Sequence, residues 1–351
     1  MTERSTLALR TRPSLLALFG ALGVQACAAD RGCHPRSPEL LDAGVSDAPA
    51  TLTSPSGVEL VWVPGGTFIM GSPETEEGRQ PDERPHEVTV GPLYVMRTEV
   101  TQQLWARVMD GAQPARDRIY RYGDETYSCG TYEGISLVGS TFPVMCVSWY
   151  ESVAFANRLS VAEGLAPAYT VSGNKVTADW SAPGYRLLTE AEWEHAAVAA
   201  TGARFAGASS ADDVCEAANL SDAEAGARFG LSEGEVFPCS DGEPGLADVG
   251  RYRPNELGLH DMTGNVWEWV WDSYAPYPEG PVSDPRPSLA GSGRVIRGGG
   301  WPTYPRYARV ADRVEEAPEA LNHDLGLRLG RAVLPDAPPL SPALDGMSPS
   351  R

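Results

Sequence analysis

Positive charge is scarce in this sequence. Its 28 lysines and arginines face 47 aspartates and glutamates, for a net charge of −19. Such a chain cannot neutralise a run of phosphates, which argues against nucleic-acid binding and against adhesion to anionic lipid by charge. Long apolar runs are also missing. The longest near the start, LLALFGALGV at residues 15–24, is too short for a comfortable membrane-spanning helix. There is no CxxC, which excludes a zinc ribbon or a thioredoxin-like site. The run Gly298-Gly299-Gly300 is followed by Trp301 rather than lysine, so it is not a phosphate loop. Ser148, His195 and Asp272 could be named as a hydrolase triad, but nothing like G-x-S-x-G surrounds Ser148, which reads as a helix cap. No internal repeat and no long helical periodicity is visible.

The 37 glycines and 30 prolines therefore point to an irregular, loop-rich protein, and the 42% of hydrophobic residues suffices for a sizeable core. A length of 351 residues suits one large domain or two ordinary ones. The first residues read as an export signal: Arg4, Arg10 and Arg12 precede the short apolar run, and Val24-Gln25-Ala26-Cys27 resembles a bacterial lipobox with Cys27 as the lipidated residue. Gln25 is not the usual small residue there, so ordinary signal-peptidase cleavage near residues 26–29 stays open. The expected division is a signal peptide over residues 1–27, a disordered tether over 28–56, one folded domain over 57–333 and a disordered tail over 334–351. The membrane is then reached only through the lipid anchor. In an exported chain Cys129 with Cys146 and Cys215 with Cys239 can form disulfides, each contributing about 3 kcal/mol. The alternative is four buried thiols. Cys33 is left over.

Along the domain, 58–63 and 67–70 read as a hairpin about Pro64-Gly65-Gly66, followed by strands at 86–90 and 93–96. Thr98 is expected to cap a helix carrying Leu104, Trp105 and Val108, Ser148 a helix over 149–163, and Thr189 with Glu192 a capping box for 190–200. Residues 113–142 read as an excursion outside the core and 203–248 as irregular chain. Residues 169–178 form a hairpin, and 294–297, 309–312 and 325–329 are strand candidates.

The most informative stretch is GLHDMTGNVWEWVWD at 258–272. Its period-2 alternation puts Trp267, Trp269 and Trp271 on one face of a strand and Glu268 on the other. A buried carboxylate needs a cation or several donors. Asp261 and Glu268 with the carbonyls of Gly264 and Val266 could wrap a hard cation such as calcium; equally, Glu268 could pair with an arginine.

Several blocks together resemble the formylglycine-generating enzyme family, the sulfatase-modifying-factor domain. They are VWVPGGTFIMGS (61–72), the P-H-E-V-T-V strand, TEVTQQLW (98–105), FPVMCVSWYESVAFANRLS (142–160), YRLLTEAEWEHAA (185–197), NELGLHDMTGNVWEWVWD (255–272), RVIRGGGW (294–301) and GLRLGR (326–331), in family order. The resemblance implies an α+β, C-type-lectin-like single domain with little regular secondary structure. It implies structural calcium at Asp261, Gly264, Val266 and Glu268, and a second site at Asn219, Leu220, Asp241 and Glu243. Oxidising members hold Cu(I) between two cysteines after the R-G-G-x-W block. Here those positions are Thr303 and Ala308, which offer no thiolate, and this argues against copper. A second, iron-dependent branch uses a histidine cluster, whereas His34, His86, His195, His260 and His323 are scattered.

The resemblance also implies a substrate groove, here at Trp301, Tyr304, Arg306 and Tyr307, suited to a peptide, protein or glycan ligand outside the cytoplasm. Arg297, Arg306 and Arg309 could line it or pair with carboxylates. Two functions follow: a non-oxidising binding or accessory domain, or an enzyme of altered chemistry in the same groove. Formylglycine generation with relocated cysteines is a third.

Overall fold

The computed structural model describes residues 50–333. The export signal, Cys27, Cys33, His34 and the tail from residue 334 lie outside the described residues. Among the described residues no helix is long and apolar enough to cross a membrane.

The domain begins before Gly57. Thr51–Thr53 pairs antiparallel with Glu59–Val63 and forms the edge of a five-stranded sheet, which continues through Leu93–Met96, Leu329–Ala332 and Tyr185–Leu187. The expected hairpin about Pro64-Gly65-Gly66 does not form. Glu59–Val63 pairs with Leu93–Met96, while Gly66–Met70 turns away to pair with His86–Val90 in a separate three-stranded sheet. A period-2 pattern identifies strands but leaves their partners undetermined. A four-stranded sheet runs Val314–Glu316, Arg294–Arg297, Trp267–Ser273, Leu325–Leu327. The chain 325–329 is thus two strands in different sheets, with Arg328 at the crossing. Residues 309–312 are not a strand; that place is taken by Val314–Glu316.

Helices form where caps and apolar spacing agree. Trp149–Ala162 starts at a capping box in which the Ser148 hydroxyl accepts from Glu151 N and Glu151 accepts from Ser148 N. Glu190–Val198 starts at the same device built from Thr189 and Glu192. Removing such a cap costs about 1 kcal/mol. The first helix, Gln102–Val108, is capped by Thr101 rather than Thr98, because the Thr101 hydroxyl is the one that accepts from Leu104 N. Ala223–Phe229 adds a helix inside the stretch read as irregular.

The strand Trp267–Ser273 lies at the centre of the fold and is buried on both faces. Trp267, Trp269 and Trp271 enter the main core with Trp105, Trp149, Phe155 and Tyr185. Three of these indole N–H groups bond backbone: Trp269 Nε1 donates to Val147 O at 2.8 Å, Trp149 Nε1 to Val270 O at 2.9 Å and Trp271 Nε1 to Pro287 O at 3.2 Å; that of Trp105 has no partner among the described residues. Val270, on the opposite face, packs with Trp193, Leu188 and Met262 in a second cluster. Burying each large apolar side chain is worth about 2–3 kcal/mol.

Residues 113–142 are only partly an excursion. They form the helix Pro114–Asp117 and two small hairpins, and they send Tyr120, Cys129 and Leu137 into a core cluster with Met145, Val266 and Trp301. Disulfides Cys129–Cys146 and Cys215–Cys239 are both formed. The first fastens this segment to the chain leading into the second capped helix.

Candidate functional site

The site is built where the strand Arg294–Arg297 ends. Gly298 and Gly299 adopt φ of +95° and +79°, a left-handed region that suits glycine. A Cβ at Gly298 would stand 3.0 Å from the Trp193 ring, so the chain can run this close only without a side chain. A Cβ at Gly299 would meet Thr303 Cγ2 at 3.2 Å and Ala308 Cβ at 3.5 Å. Positions 303 and 308 therefore both lie against Gly299 in the turn. Both are buried, Ala308 completely. The Thr303 hydroxyl accepts a hydrogen bond from Gly300 N at 2.8 Å, which commits it to holding the turn. A hydroxyl and a methyl occupy the pair of positions; every described cysteine is in a disulfide. The residues present do not fit Cu(I), which needs soft thiolate donors.

Trp301, held by its N–H to Asn265 O at 2.8 Å, is buried in an aromatic cluster. Tyr132 meets it edge-on at 5.2 Å, His323 lies 5.6 Å away, and Phe229 closes the far side. Tyr132 stacks on His323 at 5.0 Å, and the Tyr120 hydroxyl hydrogen-bonds His323 Nδ1. Three buried polar atoms here have no partner among the described residues: Trp301 Nε1, His323 Nε2 and Asp324 Oδ1. Burial pushes His323 down to about 4 and Asp324 up to about 7, so the imidazole is neutral at physiological pH and the carboxyl is poised near neutrality.

Of the groove residues read from the sequence, Trp301 and Tyr304 lie on this side. Burial and the neighbouring Glu235 carboxylate raise the Tyr304 phenol. Tyr307 instead packs against the main core, with the Arg306 guanidinium 4.4 Å over its ring. The short turn Pro305–Tyr307 aims successive side chains in different directions. Arg297 and Arg309 do not line the groove. Arg297 pairs with Glu194, and Arg309 with Glu83 at 2.6 Å and Glu76 at 2.7 Å. Sequence reasoning missed Tyr120, Tyr132, Phe229 and Asp324. The two tyrosines sit in the supposed excursion; the disulfide at Cys129 was the one signal that it is fastened inward.

The two calcium sets differ in fit. Glu268 is buried and spends both oxygens on protein donors. Arg328 reaches it at 2.8 Å through Nη2 and 3.0 Å through Nε, and Trp193 Nε1 donates at 2.8 Å. A guanidinium already neutralises Glu268, which argues against calcium at Asp261, Gly264, Val266 and Glu268. The arginine alternative is the one observed. The second set comes together better. Asp241 accepts from Leu220 N at 2.8 Å and from Glu243 N at 2.9 Å, and the buried Asn219 Oδ1 has no partner among the described residues. Burial, with Asp222 nearby, pushes Asp241 up to about 8, the signature of a carboxylate short of positive charge. Glu243 is taken by Arg251. Hard oxygen donors from Asn219, Leu220 and Asp241 suit calcium. Among the described residues, no group of three or more His, Cys, Asp or Glu side chains is arranged to hold a metal. The histidines stay apart: His86 bonds Arg84 O, His195 bonds Pro64 O and His260 bonds Tyr252 O. Ser148 is a cap, and Asp272 accepts from Glu190 N.

The geometry can be set beside known proteins. Residues 46–333 match the family described as the sulfatase-modifying factor enzyme 1-like domain. The chain is 29% identical over 322 residues to the chaperone protein LppX of Paenibacillus barcinonensis, covering 84% of this chain and 97% of that protein. It is 31% identical over 289 residues to the formylglycine-generating enzyme of Streptomyces coelicolor, covering 76% of this chain and 87% of that protein. Among solved structures, Treponema denticola variable protein 1 superposes with a TM-score of 0.64 at 28% identity, over 81% of this chain and 99% of that one. The α+β architecture is thus the C-type-lectin-like one expected from the sequence, and the chain belongs to the sulfatase-modifying factor enzyme 1-like domain family.

Proposed function

We propose that this chain is an exported, lipid-anchored family member that binds a ligand rather than oxidising one. One observation carries the reading: Thr303 and Ala308, which both lie against Gly299, hold the positions where a thiolate pair would be needed. The ligand is an extended peptide or glycan in the extracytoplasmic space, received beside Trp301 and Tyr304. The two disulfides support export, since such bonds persist in oxidising compartments. The similarity to a protein named as a chaperone supports an accessory role. Lipid attachment would be at Cys27, and structural calcium at Asn219, Leu220 and Asp241.

The test is to incubate the mature protein with Cu(I), oxygen and a C-x-P-x-R peptide. No cysteine-to-aldehyde mass change is expected. Conversion of the peptide by the wild type would overturn the reading. Thr303→Cys with Ala308→Cys is expected to bind Cu(I) where the wild type does not. Labelled palmitate should join the wild type and not Cys27→Ala.

A second reading, an enzyme of altered chemistry in the same groove, is favoured by one feature. Trp301 Nε1, His323 Nε2 and Asp324 Oδ1 are buried polar atoms left without partners. Such groups are uncommon in interiors unless something else meets them. Turnover of any peptide or glycan that fails in Asp324→Asn and His323→Phe would favour it.

A further inference from the structure

Beside Trp301 lies a small hairpin, Thr131–Tyr132 with Ile135–Ser136, whose strands among the described residues pair only with each other. Its neck is fixed: Cys129 is tied to Cys146, Leu137 N donates to Gly130 O at 2.9 Å, and Leu137 is fully buried. Its tip is held far less. Thr131, Glu133, Gly134 and Ser136 are exposed, and the turn is made by Glu133 and Gly134 in the left-handed region. The hydrogen bond that ties the tip to another segment is long, Arg228 Nη2 donating to Glu133 O at 3.4 Å.

Two side chains seat the hairpin. Ile135 lies against Gly245, where an added Cβ would stand 3.9 Å from the Ile135 Cβ. Tyr132 fills a box of three rings: it stacks on His323 at 5.0 Å and meets Trp301 at 5.2 Å and Phe229 at 5.5 Å edge-on. Its hydroxyl bonds none of the described residues. Trp301 Nε1 and His323 Nε2 stand unmet in the same cluster. With the Tyr120 hydroxyl donating to His323 Nδ1, Nε2 carries the ring proton, so both unmet atoms are donors. Tyr132 thus fits the box as a ring and leaves its polar atoms unserved, which is costly in an interior.

We propose that Tyr132 is the chain's own occupant of a ring-binding subsite, and that a peptide bearing an aromatic side chain displaces it by lifting the hairpin tip. This rests on the reading of the Trp301 groove as a peptide-binding site. The incoming ring takes the place of Tyr132 among Trp301, His323 and Phe229, and the peptide carbonyls beside it are acceptors for the two unmet N–H groups. The disulfide and the buried neck confine the movement to residues 131–136. While the hairpin is down the subsite is filled, so apparent affinity is reduced by the fraction of molecules that are open.

The test uses the whole mature protein in a Cys33→Ser background. The probe is N-acetyl-tyrosine-amide, its counterpart without a ring is N-acetyl-leucine-amide, and binding is followed by NMR titration. The wild type should bind the tyrosine amide at least about threefold more tightly than the leucine amide, the size of one aromatic pair. Tyr132→Ala removes the competing ring and should tighten that binding at least about tenfold, as expected when the open form is a minor state. Ile135→Cys with Gly245→Cys, oxidised, locks the hairpin down, since their Cβ separation of 3.9 Å suits a disulfide. The locked protein should not bind the probe, whereas Ile135→Ser with Gly245→Ser should bind it as the wild type does. Equal binding of the two amides, no gain in Tyr132→Ala, binding by Tyr132→Ala alone, or binding unaffected by the lock would overturn the proposal. Binding alone in Tyr132→Ala would mean only that a vacated space had been filled. Failure here leaves the copper test untouched, since Tyr132, Ile135 and Gly245 take no part in it.

Discussion

Arg328 grips Glu268 through two nitrogens, between two sheets, with neither side chain more than 1% exposed. The same guanidinium reaches Met96 O at 3.0 Å and His260 O at 2.7 Å. It therefore ties the central tryptophan strand to the five-stranded sheet and to the turn before it. Removing one partner leaves the other charge buried alone, at a cost of about 3–5 kcal/mol. Arg328→Met and Glu268→Gln should each lower the urea midpoint by that order. The double variant should lose clearly less than the sum, because no orphaned charge remains. Additive losses would show that the pair does not act as a unit. These losses should be the same with calcium or chelator present.

Calcium dependence is expected elsewhere. The Asn219–Asp241 cradle brings hard oxygens together with too little positive charge nearby. Calcium at about a hundred times its dissociation constant would add about 2.7 kcal/mol to stability. A rise in Tm on adding calcium should be present in the wild type and in Glu268→Gln, and absent in Asp241→Asn. A Tm indifferent to calcium and chelator removes the site.

The disulfide Cys129–Cys146 closes a 17-residue separation and holds the hairpins that deliver Tyr120 and Tyr132 to Trp301. Cys129→Ser with Cys146→Ser should cost about 3 kcal/mol. Its second effect is more specific. With the segment loosened, Trp301 fluorescence should become open to quenchers, whereas loss of Cys215–Cys239 should leave it shielded. Equal shielding in both variants would show that the segment is held by packing alone.

Much of this fold could be read from the chain. The caps at Ser148 and Thr189, the tryptophan alternation and both disulfides are local patterns, and local patterns survive folding. Pairing partners were another matter. Glu59–Val63 and Gly66–Met70 look like a hairpin because a short turn separates them, yet each finds its partner further along. Thr98 and Thr101 both look like caps, and only the path of the following turn chooses between them. Arg328 shows the deeper limit. It lies sixty residues beyond Glu268, and no spacing rule links a carboxylate to an arginine that arrives through sheet topology. The aromatic cluster around Trp301 escaped for the same reason, since its members come from three distant segments.

The last prediction concerns pH and uses two neighbours whose burial acts in opposite directions. Burial lifts Asp324 from 3.8 to about 7. Between those values the folded chain keeps a proton that the unfolded chain releases. The contribution of Asp324 is therefore full below about pH 4 and is lost as pH rises through 7. Burial lowers His323 from 6.5 to about 4. Over that span the unfolded chain holds the extra proton, so the contribution of His323 is present above 6.5 and is lost as pH falls towards 4. Each slope is at most about 1.4 kcal/mol per pH unit, and in the wild type they largely cancel. Asp324→Asn should expose the histidine slope, with stability rising from about pH 4 to 6.5 and then level. His323→Phe should expose the carboxylate slope, with stability falling from about pH 4 to 7. Urea unfolding of the three proteins across this range, read as differences from the wild type, checks the pair. Flat difference curves would mean that solvent reaches both groups and that the cluster around Trp301 is open.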